Sequence, residues 1–307
     1  MWSIILGLLP VAIMLMGYLP LVAAVVYWKR RTKKREHENP LSRDLLRSPG
    51  HSLREKCDEL FDEFIAVFVF VSITPILMYA IHISQSYWGG IPESAFRTAM
   101  MLVTTAAFMG YFMRRLSQLR YERNKHKLGL EGELASAEVL NQLMLHGCRV
   151  FHDIPMQYGN IDHVVVCSTG VYSINTKALS KPKQGAGRAK VVVDYQSHTL
   201  KFTDRSGAIP VNQLQTESKW LSEHLSKSVG TSVSVKPILA LPGWYVEGKY
   251  NQAFYDVMNP KNQKHYFLNR KELISEQEVI QISHQLEQLC RNITPSFKEE
   301  KKWQTAT

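Results

Sequence analysis

The sequence of 307 residues lacks most of the motifs that assign a chain to a common enzyme class. It has no G-x-x-x-x-G-K phosphate-binding loop, no nucleophile elbow and no dinucleotide-binding fingerprint. Its four cysteines form no C-x-x-C pair and have no histidines at ligand spacing, which argues against a zinc site and fits free thiols in a reducing cytoplasm. Internal repeats and low-complexity tracts are also missing. Nucleotide-dependent, serine-hydrolase and zinc chemistry are therefore not indicated.

Charge is missing from the first 28 residues. Residues 1–28 are apolar, and a basic run at 29–35 follows them. About 20 apolar residues are enough to cross a bilayer, and a cleavable signal peptide would have a basic start and a shorter apolar core. Residues 1–28 are therefore predicted to form a transmembrane helix. Two further transmembrane helices are predicted within 61–113, at 64–83 and at 95–113.

The basic residues predict how these three spans are oriented. They cluster at 29–35 and 114–127, whereas the connection 84–94 carries only Glu93 as a charge. By the positive-inside rule, the clusters and the C-terminal domain lie in the cytoplasm, and the N-terminus lies outside. The net charge of +10 then falls largely beside the membrane, where it attracts anionic lipids. The chain is thus predicted to be a multi-pass integral membrane protein. The alternative is that the second and third spans form a helical hairpin inside a soluble core.

A predicted strand pair carries the most informative side chains. Residues 160–166 and 171–177 are rich in β-branched residues and are joined by a short turn that contains a glycine. Because side chains alternate along a strand, Asn175 and Lys177 point to one face, and a tight hairpin places Asp162 opposite them. An acid, a second metal ligand and a lysine are the groups used in metal-dependent phosphodiester cleavage. The structural alternative is a half-buried hairpin whose polar face carries these residues without a function. His163 points away from Asp162 and is predicted to be packed.

Helical patterns flank the hairpin. The stretch Gly129-Leu130-Glu131-Gly132-Glu133 is predicted to open a helix, with Glu133 at its start. Pro210 is predicted to begin a second helix, and a last helix is predicted over 271–291. Further strands are predicted at 148–154, 190–195, 199–203 and 234–241. The sequence therefore predicts an α/β domain over 129–292, with a mixed sheet flanked by helices, followed by a polar tail.

Taken in order, the motifs G-x-x-G-E, H-D-I-P, G-N-I-D-H-V-V-V, G-V-Y-x-I-x-T-K and P-x-x-Q resemble the nuclease-related domain family, known as NERD. That family is similar to the restriction-endonuclease-like, PD-(D/E)xK fold. The resemblance implies that Glu133 is a helix-borne acid near a metal, Asp162 the central metal ligand and Lys177 the catalytic lysine. It also implies that Gln213 is a helix-borne polar contact to the site. The implied cofactor is Mg²⁺ or Mn²⁺.

Asn175 is where the sequence departs from the family pattern, which has a glutamate there. An amide oxygen can coordinate Mg²⁺, but it brings no charge. Either the site is weakened or another acid compensates, and Glu131, Glu138 and Asp153 are close in sequence. Structural alternatives remain open for the other residues. Glu133 could favour a helix N-terminus through the macrodipole, and Lys177 could be a solvated cation at a strand end.

Two functions remain open at this point. The first is a membrane-anchored, metal-dependent nuclease that acts on DNA, or on RNA, at the cytoplasmic membrane face. The second is a domain with the nuclease-like fold that has lost turnover and binds nucleic acid or a protein partner. A basic stretch after the hairpin fits either a phosphate backbone or a plain surface loop; it comprises Lys177, Lys181, Lys183, Arg188 and Lys190. Residues 29–60 are predicted to be a cytoplasmic basic connector, and 114–128 a juxtamembrane linker.

Overall fold

The computed structural model describes residues 43–184, 189–248 and 253–295, together with Met16, Pro20, Ala23, Ala24, Tyr27 and Leu41. The predicted first span, 1–28, therefore lies mostly outside the described residues, as do most of the predicted tail and Arg188 of the basic stretch. The chain divides into two compact units. The helical unit comprises Cys57–Asn124 with the terminal residues 1–42 and 296–307. The sheet unit comprises Arg43–Lys56 and Lys125–Pro295.

Two long helices, α1 (His51–Tyr87) and α2 (Ala95–Leu140), supply the described core of the helical unit. They pack against each other, with the Phe70 and Phe112 ring centroids 5.2 Å apart. The Arg97 guanidinium donates to the backbone oxygens of His82, at 3.0 Å, and Ile91, at 3.2 Å. The guanidinium therefore links the C-terminal part of α1, at His82, to the connection that follows the helix, at Ile91.

Among the described residues, α1 is the one helix that is long and apolar enough to cross a membrane, and most of its apolar stretch is not buried within the protein. The prediction of three spans is therefore not confirmed. Residues 95–113 lie in α2, but Arg97 and three threonines lower the apolar character of that segment. The basic residues 114–128 continue the same helix and do not form a separate linker.

The sheet unit contains two main sheets. Its strands are β1 (Leu45–Leu46), β2 (Arg149–Pro155), β3 (Asn160–Cys167), β4 (Gly170–Thr176), β5 (Lys190–Asp194), β6 (Thr199–Phe202), β7 (Ser206–Ala208), β8 (Val235–Ala240), β9 (Tyr245–Glu247), β10 (Asp256–Met258) and β11 (Arg291–Ile293). The central sheet has the order β10-β8-β4-β3-β2, and the smaller sheet has the order β7-β6-β5-β9. The pairs β2/β3 and β3/β4 are antiparallel, whereas β4/β8 and β8/β10 are parallel. The predicted mixed sheet is confirmed.

Helices cover both faces of the central sheet. Besides α2 they are α3 (Val211–Val229), α4 (Gln263–Leu268) and α5 (Glu276–Cys290), and short 3₁₀ turns lie at Asn141–His146 and Pro260–Asn262. Val164 and Val166 of β3 pack in one cluster with Leu221 of α3 and Ile282 of α5. Val165, between them, packs in a second cluster with the end of α2 and with α4. This alternation along β3 is what a strand buried on both faces requires.

Part of the predicted connector 29–60 belongs to the sheet unit. Strand β1 pairs with β11 near the other end of the domain, with Leu45 opposite Ile293. Arg47 extends this contact, because its guanidinium lies 2.6 Å from the buried Asp153 carboxylate. In chain order, residues 57–124 are therefore an insertion between two segments of one compact domain.

Candidate functional site

The hairpin β3–β4 forms as the alternating pattern predicts. A two-residue turn at Ser168-Thr169 pairs Cys167 with Gly170, and the register continues to His163 opposite Ile174. Gly170 has a φ of 134°, which a residue with a side chain rarely adopts. Beyond His163 the backbone pairing between β3 and β4 ends. There the Asp162 carboxylate takes the place of a backbone acceptor, because its Oδ2 accepts the Thr176 backbone N–H at 2.6 Å. Asp162 is therefore fixed beside the end of β4.

Glu133 reaches the same place from helix α2, although not from the position that the sequence predicts. It lies inside α2 and not at the start of a helix, so the macrodipole explanation for this acid is wrong. A Cβ on Gly132 would lie 2.4 Å from the Ala178 Cβ, and a Cβ on Gly129 would lie 3.2 Å from Leu53 Cδ1. The two glycines therefore let α2 pack closely, and Glu133 is 4% exposed.

Helix α3 contributes a connected set of polar side chains. Lys177 Nζ lies 3.5 Å from Gln213 Oε1, and Gln213 Nε2 donates to Glu217 Oε1 at 2.7 Å. Asn175 Nδ2 donates to the same Glu217 oxygen at 3.1 Å. The hairpin and α3 thus bring Asn175, Lys177 and Gln213 into one hydrogen-bonded network.

Glu217 is the residue that the sequence reasoning missed. It is 2% exposed, and it lies four residues after Gln213, so both side chains occupy one helix face. A signal was present, because Glu217 falls on the buried stripe of α3 that also contains Leu214 and Leu221. A glutamate within an apolar helical stripe indicates a buried acid, which is rare without a partner.

The acids proposed from sequence proximity as substitutes for the missing glutamate do not fill that role. Glu131 is exposed and lies 3.9 Å from Lys127. Glu138 is exposed as well. Asp153 is buried, but it binds Arg47 and also accepts hydrogen bonds from Ser52 and Asn160.

Burial makes the charged form of the three site acids unfavourable. It raises the pKa of Glu133, and the nearby Asp162 adds to the effect. Burial also raises the pKa of Asp162, and the hydrogen bond from Thr176 and the charge of Lys177 partly offset this rise. The pKa of Glu217 rises to about 7, again chiefly through burial. Three buried carboxylates therefore share one nearby lysine.

Several oxygens of this cluster lack hydrogen-bond partners among the described residues. They are Glu133 Oε2, Asn175 Oδ1 and Glu217 Oε2. Most buried polar atoms in proteins are satisfied, so three such oxygens at one site call for donors or a cation. Hard oxygen ligands of this kind are the ones that Mg²⁺ and Mn²⁺ prefer. Within the described ranges, however, no three His, Cys, Asp or Glu side chains are grouped closely enough to hold a metal ion.

The histidines next to the hairpin are packed in the interior. His152 Nδ1 lies 2.9 Å from His163 Nδ1, and His152 Nε2 lies 2.9 Å from Asn141 Oδ1. Burial lowers the pKa of His152 to about 4 and holds that of His163 well below its usual value. Both rings are therefore neutral at physiological pH.

Two cations of the basic stretch already have partners in the sheet unit. Lys190 lies 2.7 Å from Glu247. Lys181 donates to the Gly243 backbone oxygen, and its Nζ lies 5.6 Å from the centroid of a Trp244 ring. A phosphate-binding role for this stretch stays a prediction.

Fold and site together define a class: an α/β domain with a mixed sheet, whose central hairpin gathers buried carboxylates beside a lysine. Residues 128–242 match the family model described as nuclease-related domain, NERD. The match covers less than half of the chain and runs from α2 to just past β8. This stretch of the chain is therefore similar to the nuclease-related domain family. No curated protein and no solved structure gives a match to the chain.

Proposed function

We propose that this protein is a metal-dependent nuclease, anchored in a membrane, that hydrolyses phosphodiester bonds of nucleic acid at the cytoplasmic face. The observation that carries the proposal is the cluster of buried carboxylates at the end of β4, beside Lys177. Buried acids in protein interiors are normally paired with cations, because an uncompensated buried charge is costly. None of the three site acids forms a salt bridge within the described residues. A bound divalent cation would supply the missing charge.

Asp162, Glu133 and Asn175 are the residues that would hold this ion, each through a side-chain oxygen. Mg²⁺ or Mn²⁺ would neutralise phosphate charge and lower the pKa of a bound water. The protein's own groups would do the rest. Lys177, at the end of β4, would place a positive charge beside the phosphate or the attacking water. Gln213 would orient the lysine through the 3.5 Å contact to its Nζ.

The resemblance to PD-(D/E)xK nucleases is part of this proposal. Supporting it are the mixed sheet, the antiparallel hairpin that carries Asp162 and Lys177, and the helix that carries Glu133. DNA is the proposed substrate, with RNA as the related possibility. The anchoring is supported by one apolar helix, α1, and by the charge-free segment 1–28.

A second function is favoured by a specific observation. Asn175 replaces a charged ligand, and the described acids are not grouped as a three-acid metal site. Losing a charged ligand weakens metal binding, so the domain would then bind nucleic acid or a protein partner without cleaving it.

Cleavage by the full-length protein in detergent separates the two functions. The substrates are supercoiled plasmid, single-stranded DNA and single-stranded RNA, each with Mg²⁺, Mn²⁺ or a chelator. A nuclease cleaves at least one of them only with metal, and Lys177→Ala lowers the rate by about 10²–10³-fold, as expected for losing a charge that stabilises the transition state. Lys219→Ala is the matched control, because Lys219 is an exposed lysine on α3. Metal-independent binding without cleavage would support the second function and contradict the first.

A further inference from the structure

Cys148 and Cys167 face each other at one end of the β2/β3 pair. The two strands are antiparallel with Arg149 opposite Val166, so the residue before Arg149 and the residue after Val166 lie opposite each other. Both cysteines pack in the same core cluster, each is 2% exposed, and their thiols are hydrogen-bonded to each other. Opposite side chains on antiparallel strands have Cβ atoms about 4.5–5.5 Å apart, so a small adjustment gives the Cβ separation of about 3.5–4.5 Å that a disulfide needs.

The contact makes the two thiols chemically unequal. The hydrogen bond with Cys167 lowers the pKa of the Cys148 thiol below its usual value, although burial opposes this effect. The hydrogen bond with Cys148 and burial both raise the pKa of the Cys167 thiol. Because the thiolate is the form that attacks an oxidant, Cys148 is the more reactive of the two.

Cys148 also lies next to the protein surface. It follows the 3₁₀ turn Asn141–His146, and its two chain neighbours, Gly147 and Arg149, are exposed. A water-sized oxidant therefore needs only a local opening of this turn to reach the thiol.

We propose that Cys148 and Cys167 are a site of reversible oxidation, with hydrogen peroxide as the oxidant. The Cys148 thiolate attacks one peroxide oxygen, the O–O bond breaks, and Cys148 becomes a sulfenic acid. The hydroxide that leaves takes up the proton that Cys148 had released and becomes water. The Cys167 sulfur then attacks the Cys148 sulfur, so that an S–S bond forms, the S–O bond breaks and a second water leaves. Two thiols and one peroxide thus give one disulfide and two waters, and two electrons pass from sulfur to oxygen.

This site is separate from the carboxylate cluster. Asp162 lies on β3 five residues before Cys167, which corresponds to about 17 Å along an extended strand. The oxidation needs neither a metal nor a nucleic acid. Its test is therefore independent of the proposed function.

Peptide mapping of the full-length protein in detergent tests the site. The protein is treated with hydrogen peroxide, its remaining thiols are blocked, and it is digested with trypsin without reduction. Trypsin cleaves after Arg149, so the two cysteines fall in different peptides that only a disulfide keeps together. We expect the two peptides to be linked after peroxide treatment and to separate in dithiothreitol. Free thiols at both positions after excess peroxide, irreversible oxidation alone, or a disulfide with another cysteine would overturn the proposal.

Single substitutions test the order of the two steps. Cys167→Ser removes the second thiol, so Cys148 should accumulate as a sulfenic acid that dimedone traps. Cys148→Ser should leave Cys167 unmodified. Labelling of Cys167 in Cys148→Ser, without labelling of Cys148 in Cys167→Ser, would refute Cys148 as the attacking thiol. If a variant does not fold, the mapping of wild type decides, because it needs no substitution.

Cys290→Ser is the matched control. Cys290 is as buried as the pair, but it packs with Val164 and Val166 on the other face of the central sheet. The Cys148–Cys167 disulfide should therefore form in Cys290→Ser as it does in wild type. Loss of the linked peptides in this variant would overturn the assignment of the pair.

Thermal melting shows whether the fold accommodates the bond. A disulfide that closes a loop of about 20 residues restricts the unfolded chain, so oxidised wild type should melt several degrees above the reduced protein. Cys290→Ser should show the same shift. A lower melting temperature after oxidation would mean that the bond distorts the β2/β3 pair, and it would contradict a site built for a disulfide.

Discussion

At the scale of single residues, Gly132 determines how closely helix α2 approaches the end of β4. A Cβ at this position would lie 2.4 Å from the Ala178 Cβ and 3.3 Å from its Cα. A side chain at position 132 would therefore require the backbone of α2 or of the segment after β4 to move. The contact lies one residue from Glu133 and one from Lys177. Gly132 thus links the packing of the domain to the geometry of the site.

Gly132→Ala should destabilise the protein by about 1–3 kcal/mol, the usual cost of overpacking a tight contact. The measurement is denaturant unfolding followed by circular dichroism. Gly207→Ala is the control, because its nearest neighbour is the Phe202 Cε2 at an ordinary distance of 3.7 Å. Equal stability of the two variants would mean that α2 and the end of β4 are not closely packed.

His152 makes the stability of the protein depend on pH. Burial lowers its pKa in the folded state to about 4, from 6.5 in an unfolded chain. The unfolded state therefore takes up a proton as the pH falls below 6.5, while the folded state does not. The contribution of the neutral His152 ring to the free energy of unfolding is complete above pH 6.5. It is lost as the pH falls toward 4, by about 1.4 kcal/mol per pH unit and about 3 kcal/mol in total.

The pH dependence is isolated by comparing wild type with His152→Gln in denaturant unfolding at several pH values between 7 and 4. The difference in unfolding free energy between the two proteins should change across this range, with wild type losing more stability on acidification. His284→Gln, which replaces an exposed histidine of α5, is the control. A difference between wild type and His152→Gln that stays constant with pH would refute the buried neutral ring.

The residues of the hairpin were predictable, and those of the helices only in part. Alternation along one strand places Asn175 and Lys177 on one face without knowledge of the fold, and a tight turn brings Asp162 to them. Glu217 lies 42 residues from Asn175 in sequence, and only the packing of α3 against β4 makes them neighbours. A contact that depends on tertiary packing has no signature in the local sequence pattern. The position of Glu217 in the buried stripe of α3 nevertheless marks it as unusual.

At the scale of elements, the sheet unit is closed by a segment that precedes the helical unit in sequence. Strand β1 pairs with β11, and Arg47 forms a salt bridge with Asp153, which is fully buried and has a φ of 51°. A two-residue strand leaves no recognisable pattern, so the sequence assigns this segment to a connector. Arg47 is therefore the partner of the buried acid Asp153 and not a membrane contact.

Residues 43–56, joined by a short Gly/Ser linker to 125–295, should fold as a soluble domain. The two segments pack side by side where Leu53 meets Gly129, so a short linker can join them. A fragment that begins at Tyr121 lacks β1 and Arg47 and should be less stable by several kcal/mol. Thermal and denaturant melts of the two fragments make the comparison.

Arg47→Ala in the linked fragment identifies the cause of this difference. It leaves Asp153 buried without its cation and should cost about 3–5 kcal/mol. Arg43→Ala, which removes an exposed arginine of the same segment, should cost little. If the fragment from Tyr121 is as stable as the linked one, residues 43–56 are not part of the folded domain.

At the scale of the whole molecule, helix α1 begins in one segment of the sheet unit and helix α2 ends in the other. Both outer ends of the pair continue into segments of one compact unit, 43–56 and 125–295. Helix α1 is apolar enough to cross, and the basic residues 114–128 follow in α2. The location of the sheet unit in the cytoplasm stays a prediction.

Reporter fusions test this orientation. A reporter after residue 40 or after Thr307 should read as cytoplasmic, because basic flanks stay inside. A reporter at Gly90, in the connection between α1 and α2, should read as external. A cytoplasmic signal at Gly90 would contradict a membrane-crossing helix pair and favour a hairpin within a soluble core.

The proposed function requires that water, activated at the carboxylate cluster, cleaves a phosphodiester bond. Cleavage of plasmid DNA by the full-length protein in ¹⁸O-labelled water with Mn²⁺, followed by mass spectrometry of the new termini, measures this directly. We expect one ¹⁸O atom in each new terminal phosphate with wild type and no cleavage with Asp162→Asn. Intact DNA with wild type, unlabelled terminal phosphates, or cleavage that persists in Asp162→Asn would contradict it.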